Sequence, residues 1–568
     1  MTHVISPMTI EPNGVTMRAR TLMRTVAALA TAGLLLAGCS SGSGSGQTNG
    51  TSGQLRIGST VPIDSLNPFV AQSDYSAVVF QYVYPHLVQY DAKLNLVADY
   101  ATKWTTSKDG RTWTFDTTPN ATWSDGQPLT AADAAWTFNT ILKYQDGATA
   151  NMAGFTAHLA KAAAPNANTL VLTYQRPVAN VLAQVQNVDI LPEHIWSQYA
   201  TADGAELKRF ANGAPMVSGG PFILTKYEKN QIALLDTNPT WWGQKPHIAG
   251  FGLQFFSNED AMITAVKTNQ LDMVGEGTPP TAVDALKQGG LEVSTAPSLS
   301  MKTLIINTNP AKTQHRELLD PRVREALEYA TDRTSIIDTA WLGQATPGTT
   351  IIAKASGIWH NDSIPGLPFD LDKANALLDQ AGFTRGSDGI RVADGHPMSY
   401  DVIFATDEKG TGDRTFQILQ SDFAKIGIRI NQRTMDADAS FNAITAPDGK
   451  YQTYDLAMWD WVPPVDPDFM LSVMTCAAWG NNSDSGYCNK AYDALYAKQS
   501  TLLDPSARKK VIDKMQQIVY DDRPYVVLNY PNIIEAHSKA WTGFVMSPEV
   551  GSVTNLSMET LLNVHRVN

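Results

Sequence analysis

The sequence predicts an α/β fold built in more than one lobe. Three observations carry that expectation. β-rich runs alternate with helix-forming runs from about residue 55 onward. No short-period repeat organises the chain. Its 568 residues exceed what one hydrophobic core holds, so two or three units are expected.

The first element is a targeting signal. In "MRARTLMRTVAALATAGLLLAGCS", Arg18, Arg20 and Arg24 precede a short apolar run that ends in small residues before Cys39. That is the layout of a secretory signal, and the run is short for a transmembrane helix. The "LAGC" ending resembles a bacterial lipobox, whose cysteine receives a lipid after cleavage. The expectation is a signal over residues 1–38, with Met17 as an alternative start. A lipidated Cys39 and a Gly/Ser-rich tether follow over 39–54. Such a body hangs at the extracytoplasmic face of the cell membrane.

"ATKWTTSKDGRTWTFDT" predicts a hairpin, with β-rich runs either side of Asp109-Gly110, a favoured two-residue turn. "LTAADAAWTFNTIL" predicts a helix entered through a capping box of Thr130 and Asp133, with Ala134, Phe138 and Ile141 on one face. "DPRVREALEYATDR" predicts another, with Asp320 as cap, Pro321 in the first turn, and Val323, Ala326, Leu327 and Ala330 on one stripe. "DLDKANALLDQAGF" is a third, closed by Gly382. "SARKKVIDKMQQIVYDDRPYVVLNYP" reads as a helix running into a strand.

The stretch "YDLAMWDWVPPVDPDF" reads as a strand stopped by Pro463-Pro464. Alternation places Leu456 and Met458 on one face, and Ala457, Trp459 and Trp461 on the other. A second packed layer would explain two indoles there, and so would a ligand. Nearby, Cys476 and Cys488 bracket a turn-rich loop. In an exported protein they are expected to pair, with two thiols as the alternative, and the bridge would be worth about 3 kcal/mol in a chain-entropy model.

Several functions lack their signatures. A net charge of −12 and a pI near 5.3 argue against a nucleic-acid partner. There is no His-Glu-x-x-His, no Gly-x-Ser-x-Gly and no close set of Cys and His. No cofactor or metal is expected, and the ten histidines are scattered. A carboxylate dyad assembled from distant segments stays open.

Five segments then resemble the peptide/nickel solute-binding proteins of bacterial ABC importers, solute-binding family 5. They are "YPHLVQYD", "LVADYATKWTTSKDGRTWTFDTTPNATWSDGQPLTAADAAWTF", "SGGPFILTKYEKNQIALLDTNPTWWGQKP", "DPRVREALEYATDR" and "ANALLDQAGF". The resemblance runs from about residue 55 to about residue 545. It implies a two-lobed, three-domain receptor that closes on a solute by hinge motion. On that reading lobe I combines a core domain of residues 55–90, 215–303 and 530–568 with an accessory domain of 91–214, and lobe II spans 304–529. The protein would act as a monomer, without chemistry of its own, and deliver its solute to the permease subunits.

The family's cleft borders the Trp-containing strand, so Trp459 and Trp461 become ligand-binding candidates, joined by Asp460 and, from lobe I, Asn67 and Tyr84. In peptide-binding members an Asp about three residues after the Trp pairs with the ligand's α-amino group. Here Val462 and Pro464 stand at those positions. Asp460 is near, but alternation turns it to the core face. Peptides lead as ligand, with oligosaccharides or metal chelates as alternatives on the same scaffold. An exported hydrolase is the alternative of another class, and it would need a convergent nucleophile or carboxylate pair in the cleft.

Overall fold

The computed structural model describes residues 52–274, 278–445, 454–548 and 558–567. The signal, Cys39 and most of the tether lie outside them. The fold is two-lobed α/β. One long sheet runs through both lobes in the order Arg429–Met435, Ser399–Ala405, Leu456–Trp461, Met301–Ile306, Tyr525–His537, Met273–Val274, Ser52–Ser59, Ile248–Phe255, Ile232–Thr237 and Phe222–Glu228. A separate antiparallel sheet of four strands lies between residues 101 and 174.

The strand Tyr525–His537 joins the lobes. Tyr525 to Asn529 pair with Met301–Ile306, while Asn532 to His537 pair with Glu292–Pro297. It is the strand expected after the helix of "SARKKV", which spans Pro505–Asp522. Its 13 residues let one strand serve both lobes.

The capped helices form as their sequences require. Asp133 Oδ2 accepts from the Thr130 amide at 2.8 Å at the head of Ala131–Lys143, and Ala134, Phe138 and Ile141 are fully buried. Asp320 caps Pro321–Tyr329 and buries Val323, Ala326, Leu327 and Ala330. Leu371–Gln380 ends before Gly382, whose φ of +88° is the left-handed stop. The hairpin of Ala101–Thr106 and Thr112–Thr117 closes through a longer loop than two residues. Ser107 still pairs with Thr112, and Asp109 accepts from the Ser107 hydroxyl and the Arg111 amide.

One boundary moves. The expected tether over 39–54 gives way to strand at Ser52, because Ser52 and Gln54 already align with Ile248 and Gly250 in a parallel ladder. Main-chain pairing needs no apolar side chain, so composition did not mark it.

In lobe II the sheet is covered on both faces. Helices Pro321–Tyr329, Leu371–Gln380 and Thr411–Lys425 bury Leu304, Leu456 and Met458 on one side. Helices Ala437–Thr445, Asp468–Val473 and Pro505–Asp522 bury Met301, Ala457 and Trp461 on the other. Parallel strands need such double cover, and Leu456–Trp461 runs parallel to Ser399–Ala405.

Candidate ligand-binding site

The parallel strands Ser399–Ala405 and Leu456–Trp461 bring their carboxyl ends to the same end of the lobe II sheet. Crevices in open α/β sheets form at that end of the strands. The loop after Trp461 reaches across: Val465 packs with Tyr90 and Leu299 in a small apolar cluster. Asp466 anchors that loop by accepting from both terminal guanidinium nitrogens of Arg508, at 2.5 and 2.7 Å. A second bridge joins the lobes where the Ala179 amide donates to the Ser500 carbonyl at 2.9 Å.

Lys302 organises a charged cluster at that end of the sheet. It stands directly across the ladder from Asp460. Its Nζ lies 2.8 Å from Glu408 Oε1 and 3.2 Å from Asp460 Oδ2. Burial alone would lower the Lys302 pKa, but Asp460 and Glu408 outweigh it and hold the ammonium charged. Burial also holds Glu408 above the ordinary carboxyl range, against the pull of Lys302. The carboxylate pair left open by the sequence therefore exists here, with an ammonium locked between its members. Trp341, Thr415, Met458 and Trp459 line the adjoining space.

Of the sequence candidates, Asp460 joins this charged cluster and Trp459 lines the small space beside it. Asp460 does lie on the face of Leu456 and Met458, as alternation requires, but beyond the end of the apolar core. Its side chain stays 29% exposed. Trp459 is half-buried and leans on Phe441, with ring centroids 5.8 Å apart.

Trp461 is corrected. It is a core residue, 8% exposed, edge-on to Phe469 at 5.7 Å. Its Nε1 donates at 2.9 Å to Oδ2 of the wholly buried Asp484. The second helical layer covers the face that alternation left open. Asn67 is corrected as well: it is buried, its Nδ2 donates to the Leu207 and Phe210 carbonyls at 2.9 and 3.0 Å, and its Oδ1 accepts from the Phe69 amide. Its polar atoms are spent on pinning loops. Tyr84 is buried at the end of the helix Asp74–Val83 and accepts from Asn212 Nδ2 at 2.8 Å. Both side chains are buried and bonded within lobe I.

Lys302 and Glu408 were missed, although signals existed. A lysine inside the apolar run "SMKTLIIN" breaks a buried strand's pattern, and Glu408 closely follows the carboxyl end of "DVIFA". Cys476 and Cys488 are joined by a disulfide.

Residues 95–482 match the model of the bacterial extracellular solute-binding proteins, family 5, in its middle part. The chain belongs to that family. This family 5 protein is 26% identical over 525 residues to "Probable D,D-dipeptide-binding periplasmic protein DdpA" of Escherichia coli (strain K12), covering 89% of this chain and 93% of the relative. It is 25% identical over 478 residues to the nickel-binding periplasmic protein of the same organism, covering 83% and 86%. The ABC transporter substrate-binding protein CtaP of Listeria monocytogenes shares the fold with a TM-score of 0.78 at 21% identity, covering 91% of this chain and all of that one. These relatives are binding proteins, and the family is extracytoplasmic. Among the described residues no helix is long and apolar enough to cross a membrane.

Proposed function

We propose that this family 5 protein is a lipid-anchored receptor for peptides with a free amino terminus, which it hands to the permease of an ABC importer. The observation that carries the reading is the pairing of one ammonium with two carboxylates in the Lys302 cluster. Lys302 neutralises one charge. A second cation brought to the pair would favour the charged form of both carboxylates, and Asp460 is the more exposed partner. A peptide α-amino group supplies such a cation at that point, so Asp460 takes the part of the Asp that the sequence lacks three residues after its Trp. A hydrogen bond to a charged group is worth about 1.5–3 kcal/mol.

With Trp461 in the core, an oligosaccharide would have one indole to stack on rather than two. The Lys302 ammonium bridges both members of the carboxylate pair, at 2.8 and 3.2 Å, which favours holding a charge over hydrolysis. The dipeptide-binding relative supports peptide over chelate, while the nickel-binding relative keeps the chelate as second reading.

The test is calorimetry of short peptides against wild type and Asp460→Asn. Free-amine peptides should bind the variant at least tenfold more weakly, while N-acetylated peptides should bind both proteins weakly and alike. Equal losses for both peptide sets would sink the amine assignment. Mass spectrometry of the recovered peptide should find it intact. Cleavage products would return the hydrolase.

A further inference from the structure

A second polar cluster sits at the opposite end of the lobe II sheet. The crevice follows the carboxyl end of Ser399–Ala405, whereas Tyr400 stands at its amino end. There the Tyr400 hydroxyl donates to Glu317 Oε1 at 3.1 Å. His315 Nδ1 lies 3.1 Å from the same oxygen. His396, on the short hairpin of Val392–Ala393 and His396–Pro397, brings its Nε2 to 3.5 Å from Glu317 Oε2. The imidazole centroids of His315 and His396 are 4.9 Å apart.

We propose that His315, Glu317 and His396 form a binding site for a divalent transition-metal cation of the zinc type. Two imidazoles and one carboxylate are a donor set that such borderline cations prefer over calcium or magnesium. One donor atom from each side chain lies within 4.8 Å of the others, and no other such trio gathers among the described residues. Around zinc, with bonds near 2.0–2.1 Å, donors stand about 3.3 Å apart, so the trio must tighten by roughly 1.5 Å at most. His396 can supply that movement, since its side chain is 36% exposed on a hairpin.

Glu317 Oε2 points to a ligand independently. The Glu317 side chain is 1% exposed, yet this oxygen has no hydrogen-bond partner. A buried carboxylate oxygen left this way is costly, and a cation held jointly with the two imidazoles would satisfy it. The charges nearby agree. Lys312 is committed to Asp455 at 2.7 Å, and the groups that face Glu317 are the two imidazoles and the Tyr400 hydroxyl. The Tyr400 hydroxyl orients the carboxylate as outer-shell donors do. His315 adopts φ 48° and ψ 47°, a left-handed conformation that turns its ring toward Glu317. Bound metal would clamp the turn Arg316–Leu319 to the hairpin.

The full chain, stripped with chelator, would be titrated with zinc chloride at pH 7.5 by calorimetry, beside His396→Ala and His315→Asn. Asparagine tolerates the left-handed backbone, and His396 is exposed, so both variants should fold, which a thermal melt checks. The expected result is one zinc per chain in wild type and at least tenfold weaker binding in each variant. Cobalt should give tetrahedral or five-coordinate visible bands that each variant loses. Wild type that takes up no zinc at 100 µM overturns the proposal. So does zinc binding that both variants keep, because the metal then lies elsewhere, as at Glu408 and Asp460.

Discussion

Trp461→Phe separates a core tryptophan from a ligand platform through its dependence on pH. The Nε1 bond to Asp484 Oδ2 is 2.9 Å long, and the Tyr525 hydroxyl donates to the other carboxylate oxygen. Burial pushes the Asp484 carboxyl up to about 6, although both donors pull it down. Its unfolded value is near 3.9. The folded state therefore holds this proton to higher pH, and stability falls as pH rises from about 4 to about 6. Two pKa units correspond to about 3 kcal/mol. Phenylalanine removes the donor that favours the charged form, worth about 1.5–3 kcal/mol, and lifts the folded pKa further. Loss of ring atoms adds about 1–2 kcal/mol at any pH. Urea unfolding at pH 5, where Asp484 is largely protonated, should show a cost of about 1–2 kcal/mol. At pH 8 the cost should reach about 3–4 kcal/mol, with peptide affinity unchanged in the folded protein. In an Asp484→Asn background the pH dependence of the substitution should vanish. Equal costs at both pH values, or a dependence that survives Asp484→Asn, would refute the reasoning.

Three further outcomes follow from the same structure. Trp459→Ala should weaken ligand binding by about 0.5–1.5 kcal/mol, the scale of one aromatic contact, and a titration showing no loss would return this ring to packing alone. Gly220→Ala should destabilise by about 1–3 kcal/mol, because its Cβ would meet the Tyr82 carbonyl oxygen at 2.5 Å, whereas Gly213→Ala, with nothing within 4 Å, should stay within about 0.5 kcal/mol in the same melt. Cys39→Ala should release the protein from membrane fractions or leave the signal uncut; wild-type membrane retention with normal processing would contradict the lipid anchor.

What was legible in the sequence was whatever one short segment decides by itself. Thr130 and Asp133 cap a helix with atoms three residues apart, and the stripe of Val323, Ala326, Leu327 and Ala330 needs one packing partner. The tryptophan strand shows the limit. Alternation correctly grouped Ala457, Trp459 and Trp461, but nothing in "LAMWDW" says that helices Ala437–Thr445 and Asp468–Val473 cover that face. Trp459, half-buried beside the crevice, and Trp461, sealed against Asp484, look alike in sequence. The histidine trio was illegible for a different reason: scattered positions meet only because a hairpin folds back against the start of a strand. Asn67 and Tyr84 failed because a polar side chain serves loops as readily as ligands.

The charged cluster and the lobe crossing share the same strands, and this bears on how binding would move the lobes. Lys302 pairs across the ladder with both Asp460 and Asn529. Three residues beyond Asn529, Asn532 already pairs with Pro297 on the way into lobe I. Rotation of one lobe against the other must bend the long strand near 529–532, beside Lys302. The Asn529 side chain is wholly buried there with neither amide atom hydrogen-bonded, and such a group costs about 1–3 kcal/mol. The crossing is thus a place where the main chain is continuous but the side-chain bonding is incomplete. Against it stand modest lobe-to-lobe contacts, among them the cluster of Val465, Tyr90 and Leu299 and the Ala179–Ser500 bond. A ligand shifts such an equilibrium only by its preference for one state. On the proposed reading, an ammonium group held by Asp460 of lobe II while the Val465 loop stays docked on Tyr90 would supply that preference.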